Sequence, residues 1–180
     1  MTVPVYETHT EFSSAANEES TTINKPSGTV EGDLLVYFAC YQGASLTGFA
    51  PPDGSWTQVG LVQNNGSFIC YYKVAGDSEP SSYTFTWTGV SRRNAALVRF
   101  SGVNIDEPIN ASDFGEDDNT PLTTPTVTTD VDGCLVLRLA GTGGSTLDSM
   151  TWASSTEIFK VNTGATNARH NSGAYAIHDE

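Results

Sequence analysis

The chain is short of positive charge and of long apolar runs, and each shortage excludes a class of partner. Its 180 residues include 8 Lys and Arg against 21 Asp and Glu, for a net charge of −13. So few bases, at a pI near 4.3, cannot form a stripe that follows nucleic-acid phosphates. The longest apolar run, Leu34 to Tyr41, is far shorter than the roughly 18 residues of a membrane helix. We therefore expect neither nucleic acid nor membrane as a partner.

Cysteine is also scarce, and its spacing argues against a disulfide framework. Cys40, Cys70 and Cys134 are far apart, odd in number and without a CxxC pair. Strand alternation around them predicts buried, reduced thiols, with a single disulfide as the alternative. The first residues contain no base ahead of an apolar stretch, so no secretion signal is expected. These features indicate synthesis and folding in a reducing host cytoplasm.

Helical periodicity is missing, whereas strand patterns recur between Gly, Pro, Asn and Asp. The clearest alternation, Tyr83 to Thr88, predicts three aromatic side chains on one face and three threonines on the other. The predicted strands are Val3–Glu7, Leu34–Tyr41, Trp56–Val62, Phe68–Val74, Tyr83–Thr88, Ala95–Ser101, Leu135–Ala140, Ile158–Val161 and Ala174–Ile177. About nine strands without a substantial helix predict an all-β fold, a two-sheet antiparallel sandwich of jelly-roll type.

The pattern predicts a single domain over residues 1–180, with three irregular segments. Residues 1–23 form an extended N-terminal segment, which we expect to pair with the strand edge of a neighbouring molecule. Residues 43–54 and 104–132 are connections longer than a hairpin needs, and the second holds most of the central acidic residues. Connections of this length usually carry function or lie along a neighbour.

No set of residues predicts catalysis. The three histidines, His9, His170 and His178, lie near the ends of the chain without a nucleophile motif beside them. With 21 acids, some pair of carboxylates will always meet the spacing of a glycosidase, so such a pair carries no weight. We expect a protein that is not an enzyme and has no cofactor.

Two groups of residues are candidates for binding. The acidic loop around Asp113, Glu116, Asp117 and Asp118 would take calcium, which prefers flexible, carboxylate-rich loops, although its spacing fits no EF-hand. The alternative is a solvated acidic loop or a contact to a basic neighbour. Phe49, Asp53 and Trp56 would contact a partner or stack on a glycan, and the alternative for the tryptophan is a place in the core.

Several segments resemble a family of β-sandwich domains found in phage structural proteins and in some bacterial surface proteins. The run from Lys25 to Val36 resembles the motif K-P-x-G-x-x-x-G-D-L-L-V, and Ala50 to Thr57 resembles A-P-x-G-W-T with Asp53 and Ser55 as departures. Tyr71 to Ala75 and Glu79 to Phe85 match Y-Y-K-V-A and E-P-x-x-Y-T-F. The resemblance covers about residues 20–110.

The resemblance implies a virion role and supplies no catalytic residue. Family members serve as capsid decoration proteins, head fibres and tail-fibre domains, usually as symmetric oligomers. The expected function is therefore a non-enzymatic decoration (cement) protein on the outer surface of a phage particle. Its expected partners are the major capsid protein or another virion protein and further copies of itself. The alternative is a fibre module that binds a surface glycan as receptor.

Overall fold

The computed structural model describes residues 3–43, 46–63, 66–116, 123–143, 152, 155–162 and 169–178, with backbone only for 143 and 169–178. Most of these residues are in strands and none of them is helical, which confirms the predicted all-β class. The strands are β1 (Val5–Asn24), β2 (Leu34–Gln42), β3 (Thr47–Ala50), β4 (Thr57–Gln63), β5 (Gly66–Val74), β6 (Ser82–Ser101), β7 (Cys134–Gly143), β8 (Thr156–Asn162) and β9 (Arg169–His178).

Six strands form one antiparallel sheet in the order β1-β6-β2-β5-β4, with β3 paired to the first half of β6. The remaining strands pair in the order β7-β9-β8, again antiparallel. The jelly-roll connectivity expected from the strand pattern stays a prediction.

The described residues contain nine strands, the number expected. The totals agree only because one pair of predicted strands is a single strand and one observed strand was not predicted. The predicted strands 83–88 and 95–101 are one continuous strand, β6, and β3 lies inside the predicted connection 43–54. Residues 89–94 lie between the two predicted strands and include the polar Arg93 and Asn94. Arg93 is 2% exposed and Asn94 0%, and both have hydrogen-bond partners within the fold. Their partners let β6 remain extended.

The N-terminal segment is not a free arm, because its residues from Val5 onward form the outermost strand of the larger sheet, and its pairing with a neighbouring molecule stays a prediction. β1 pairs with β6 of its own chain from Val5 opposite Ser101 to Asn24 opposite Ser82, with three shifts of register. Backbone groups along one edge of β1 are therefore already hydrogen-bonded. The structure assigns this segment to the sheet itself.

The first core lies where the six-stranded sheet curls over on itself. The ring of Tyr37 on β2 stacks on that of Phe85 on β6, with centroids 3.6 Å apart. Tyr83, Phe85 and Trp87 are all buried, whereas Thr84, Thr86 and Thr88 are exposed. This arrangement confirms the two faces expected from the alternation.

The second core lies on the opposite face of the same sheet, against β7 and β8. Val36 and Phe38 of β2 pack here with Val98 of β6 and Phe159 of β8. Each face of β2 thus belongs to a different core, so residues 34–41 are all buried, as their unbroken apolar run predicted.

The three cysteines are free in the structure, in agreement with the expectation of reduced thiols. Cys40 and Cys70 are buried, and burial raises the pKa of the Cys70 thiol to about 12. Cys134, at the start of β7, is only partly buried.

Candidate functional site

The family-like motifs converge on Glu79, which lies in the turn between β5 and β6. The ammonium of Lys73 lies 2.7 Å from Oε1 of this carboxylate, and the hydroxyl of Tyr83 donates to Oε2 at 2.6 Å. The backbone N–H of Gly76 donates to Oε1 at 2.7 Å, and the Lys25 ammonium donates to the Glu79 carbonyl at 3.1 Å. Residues of three separate motifs therefore meet at one residue, Glu79.

The ion pair between Lys73 and Glu79 is almost completely shielded from water. The side chains are 7% and 6% exposed, and the ammonium lies 5.7 Å from the ring centroids of both Trp56 and Tyr83. Burial alone would raise the pKa of Glu79, but hydrogen bonds from Lys73, Tyr83 and Gly76 outweigh it and lower that pKa. The carboxylate is thus held ionised by its partners.

A second ion pair fixes the Gly-Asp turn that leads into β2. The carboxylate of Asp33, a 3% exposed residue, accepts hydrogen bonds from Arg99 Nε at 2.6 Å and from the backbone N–H of Val30 at 2.9 Å. Backbone bonds join the turn to the end of β5, from Gly32 N to Ala75 O and from Ala75 N to Asp33 O. The φ of Gly32 is +86°, a conformation that favours glycine.

These two ion pairs, Lys73–Glu79 and Asp33–Arg99, form what we call the motif cluster. Each carboxylate is paired with a cation and accepts at least one further hydrogen bond. The arrangement ties the entries of β2 and β6 to the end of β5. The motifs therefore determine the turns of the fold.

The three expected contact residues do not form one surface. Trp56 is 6% exposed, with its ring edge-on to Tyr83 and Phe85 at 5.2 and 5.1 Å, so it has no free face for a sugar and belongs to the core. Phe49 is half-buried, 5.3 Å from the ring of Tyr41. The structure removes the tryptophan from the contact set because its aromatic neighbours enclose it.

Asp53 is exposed, and its side chain forms hydrogen bonds within the turn that contains it. Its carboxylate accepts a hydrogen bond from the backbone N–H of Ser55 at 2.8 Å and another from the hydroxyl of the same residue. These hydrogen bonds lower the pKa of Asp53. The short-range pattern is that of an aspartate that stabilises a turn.

The structure describes two of the four residues predicted to bind calcium. Asp113 and Glu116 are exposed, and the Asp113 carboxylate accepts a hydrogen bond from the backbone N–H of Phe114 at 2.8 Å. Asp117 and Asp118 lie outside the described residues. Among the residues that the structure does describe, no three His, Cys, Asp or Glu side chains come together as a metal site would require. Calcium binding by this loop stays a prediction.

Sequence reasoning missed a buried arginine in the first core. Arg93 forms an ion pair with Glu18, donates to the Ala16 carbonyl at 3.0 Å, and lies 5.1 and 5.8 Å from the rings of Phe12 and Trp87. Its guanidinium holds the irregular middle of β1 against β6. The signal was an Arg-Arg-Asn run between two strand patterns, which suggested a loop.

A cavity of about 830 Å³ lies beside the second core. Its apolar walls come from β2, β4, β5 and β7, and its rim comes from the connection between β6 and β7. The residues that line it include Phe38, Val59, Phe68, Cys70, Phe114 and Leu137. Phe49, Asp53 and Trp56 do not line it, whereas Asp113 and Glu116 of the predicted acidic loop do.

Comparison with family models, curated proteins and solved structures finds no match to this chain. Within the residues described, there is also no helix long and apolar enough to cross a membrane. The resemblance to phage sandwich domains therefore depends on the motifs alone.

Proposed function

We propose that the chain is a non-enzymatic structural protein of a phage virion, and specifically a decoration protein that binds the outer surface of the capsid. The observation that carries this proposal is the separation of the two signs of charge. Lys73, Arg93 and Arg99 each pair with a carboxylate and have side chains that are 7%, 2% and 14% exposed. In the described part of the chain, every acidic residue except Asp33 and Glu79 is exposed.

This separation leaves an acidic surface around a core stabilised by internal cations. Copies of a chain with such an acidic surface repel one another, and each copy is attracted to a basic surface. The charge therefore fits a protein that binds in many copies to a basic support. The family resemblance points the same way, because its motifs define a sandwich and supply no reaction. A two-sheet jelly roll that forms symmetric oligomers on the capsid is the finer form of this proposal.

The test is reconstitution of the chain with empty capsids of its source phage. We expect the chain to co-sediment with capsids and raise their melting temperature, with binding that weakens as salt increases. The Glu31→Lys and Asp77→Lys variants, which reverse exposed charges outside the cavity, should weaken binding if the acidic surface contacts the capsid. Absence of binding even at low ionic strength would refute the decoration role.

A fibre module that binds a surface glycan is the second candidate, and it depends on Phe49. This half-buried ring lies against Tyr41, and β3, which carries it, is flanked by a turn with the exposed Asp53. On a glycan array, wild-type protein should then bind a defined sugar and Phe49→Ala should abolish the signal. The control is Val90→Ala, which removes an exposed apolar side chain elsewhere. No array signal for the wild type would remove this candidate.

A further inference from the structure

The β7-β9-β8 sheet covers only part of the larger sheet that it faces. β8 packs against β1 and β6, β9 against β6 and β2, and β7 against β2 and β5. Strand β4 is the next position in the larger sheet, beyond the two strands against which β7 packs. Among the residues that the structure describes, β7 is the outermost strand of its sheet on this side.

The cavity of about 830 Å³ lies between β7 and strands β4 and β5, and on the β4 side the ring of Phe114, from the connection between β6 and β7, packs against Gly60. Strands within a sheet are about 4.8 Å apart and packed sheets about 10 Å, so one more strand beside β7 would lie over β5 and β4. The cavity is lined by Val59 and Val62 of β4 and by Phe68 and Cys70 of β5. Opposite them, every residue of β7 from 134 to 142 lines it, so the edge of the strand faces the cavity as well as one side.

The walls are apolar and the rim is acidic. Leu135, Leu137 and Leu139 of β7 alternate along the strand and pack at the margin of the second core. The acidic residues that line the cavity are Glu107, Asp113, Glu116 and Asp132, and the one base among the described lining residues is Arg138. The guanidinium of this arginine donates to the Ser155 hydroxyl at 2.9 Å.

We propose that β7 accepts an extended strand from a partner protein, by strand addition into this cavity. The partner strand has apolar side chains at alternate positions, which fill the space between β7 and β5, and Lys or Arg at its ends, which meet the acidic rim. Main-chain hydrogen bonds to the edge of β7 fix the register of the partner strand. The cavity favours partner strands that carry apolar side chains. This inference goes beyond the virion role and is tested without capsids.

The probe is the peptide Lys-Val-Thr-Val-Lys-Val-Thr-Val-Lys, and the readout is amide hydrogen exchange of the full chain. Binding should slow exchange of β7 amides by about tenfold or more while leaving β1 unchanged, because only β7 gains hydrogen bonds. It should also protect the Cys134 thiol, which lines the cavity, from alkylation. A peptide with proline in place of the valine at position 4 should not bind, and one with glutamate in place of lysine should bind more weakly.

The Leu137→Glu variant places a charge in the cavity and should lower peptide affinity by about tenfold or more. Its matched control is Val90→Glu, at a residue that is 61% exposed and does not line the cavity, and this variant should bind like wild type. Should Leu137→Glu fail to fold, the exchange pattern of the wild type decides alone.

Three results would overturn the proposal. The first is no binding of the lysine peptide up to about 1 mM. The second is equal binding of the proline peptide, which would make the cavity a general apolar pocket. The third is a chain that is dimeric by sedimentation with β7 amides already protected, which would make a second copy the occupant. Capsid binding without peptide binding refutes the strand site alone, and the reverse refutes the decoration role alone.

Discussion

Neutralising Glu79 should destabilise the protein far more than neutralising any surface carboxylate. In the Glu79→Gln variant the side chain keeps its shape, but the Lys73 ammonium, only 7% exposed, loses the charge that compensates it. Removing one partner of a buried ion pair costs about 3–5 kcal/mol. A domain of this size has a free energy of unfolding of about 5–15 kcal/mol, so the variant should lose a large share of its stability.

The double variant Lys73→Met/Glu79→Gln separates the cost of a stranded charge from the value of the pair. Methionine fills much of the volume of lysine beside Trp56 and needs no counterion. Replacing a buried pair by uncharged residues is often neutral or stabilising. We therefore expect the second substitution to recover most of the stability that the first one loses.

Urea unfolding, followed by tryptophan fluorescence and circular dichroism, measures both effects. The matched control is Glu157→Gln on β8, where the ion pair with Lys160 has side chains 41% and 31% exposed. An exposed pair of this kind should contribute less than about 1 kcal/mol. The reasoning is refuted if Glu79→Gln costs no more than this control, or if the two substitutions of the double variant add.

Acid, alkylation and one added methyl group probe other parts of the fold. Because the fold lowers the pKa of Glu79, its stabilising contribution is complete above about pH 5 and is lost as the pH falls below its unfolded value of about 4.3. Thermal melts should show this decline in wild type and less of it in Glu79→Gln. In native protein at pH 8, a maleimide should label Cys134 well before Cys70, whose thiol is buried with a pKa near 12, and equal rates in mass spectra would contradict this burial. The Gly141→Ala variant should cost about 1–3 kcal/mol in urea unfolding, because its Cβ would overlap the ring of Phe68, and an unchanged midpoint would show that the ring moves freely.

The pattern of apolar and polar side chains predicted two kinds of strand. One kind has a buried and an exposed face, and the other is buried on both faces. The pattern from 83 to 88 gave the correct buried side, and the apolar run 34–41 gave a strand enclosed between two cores. In both cases side-chain chemistry at a period of two is set by local contact with core or water. Such information is present in any short window of sequence.

Long-range pairing was not predictable in the same way. Residues 1–23 were expected to form an extended segment that pairs with a neighbour, yet Val5 to Ile23 pair with β6 residues that lie 60 to 96 positions further along the chain. Arg93 looked like part of a loop because its partners, Glu18 and Ala16, lie in that distant segment. A buried charge can be recognised only once its counterion is known. The same reason hid the motif cluster, whose members come from four strands and turns.

The two proposed contacts require the same partner chemistry but differ in their response to salt. An acidic surface that docks on a basic capsid acts through exposed charges, which ions screen over about 8 Å at physiological strength. A strand that enters the β7 cavity is held by main-chain hydrogen bonds and by apolar side chains, and burial protects both from screening. Salt should therefore weaken capsid docking strongly. It should weaken binding of the lysine peptide only slightly, by screening the charges of its lysines. A partner that uses both contacts should lose affinity in two stages as salt increases. Its contact with the acidic surface should weaken first, while its strand in the β7 cavity remains bound.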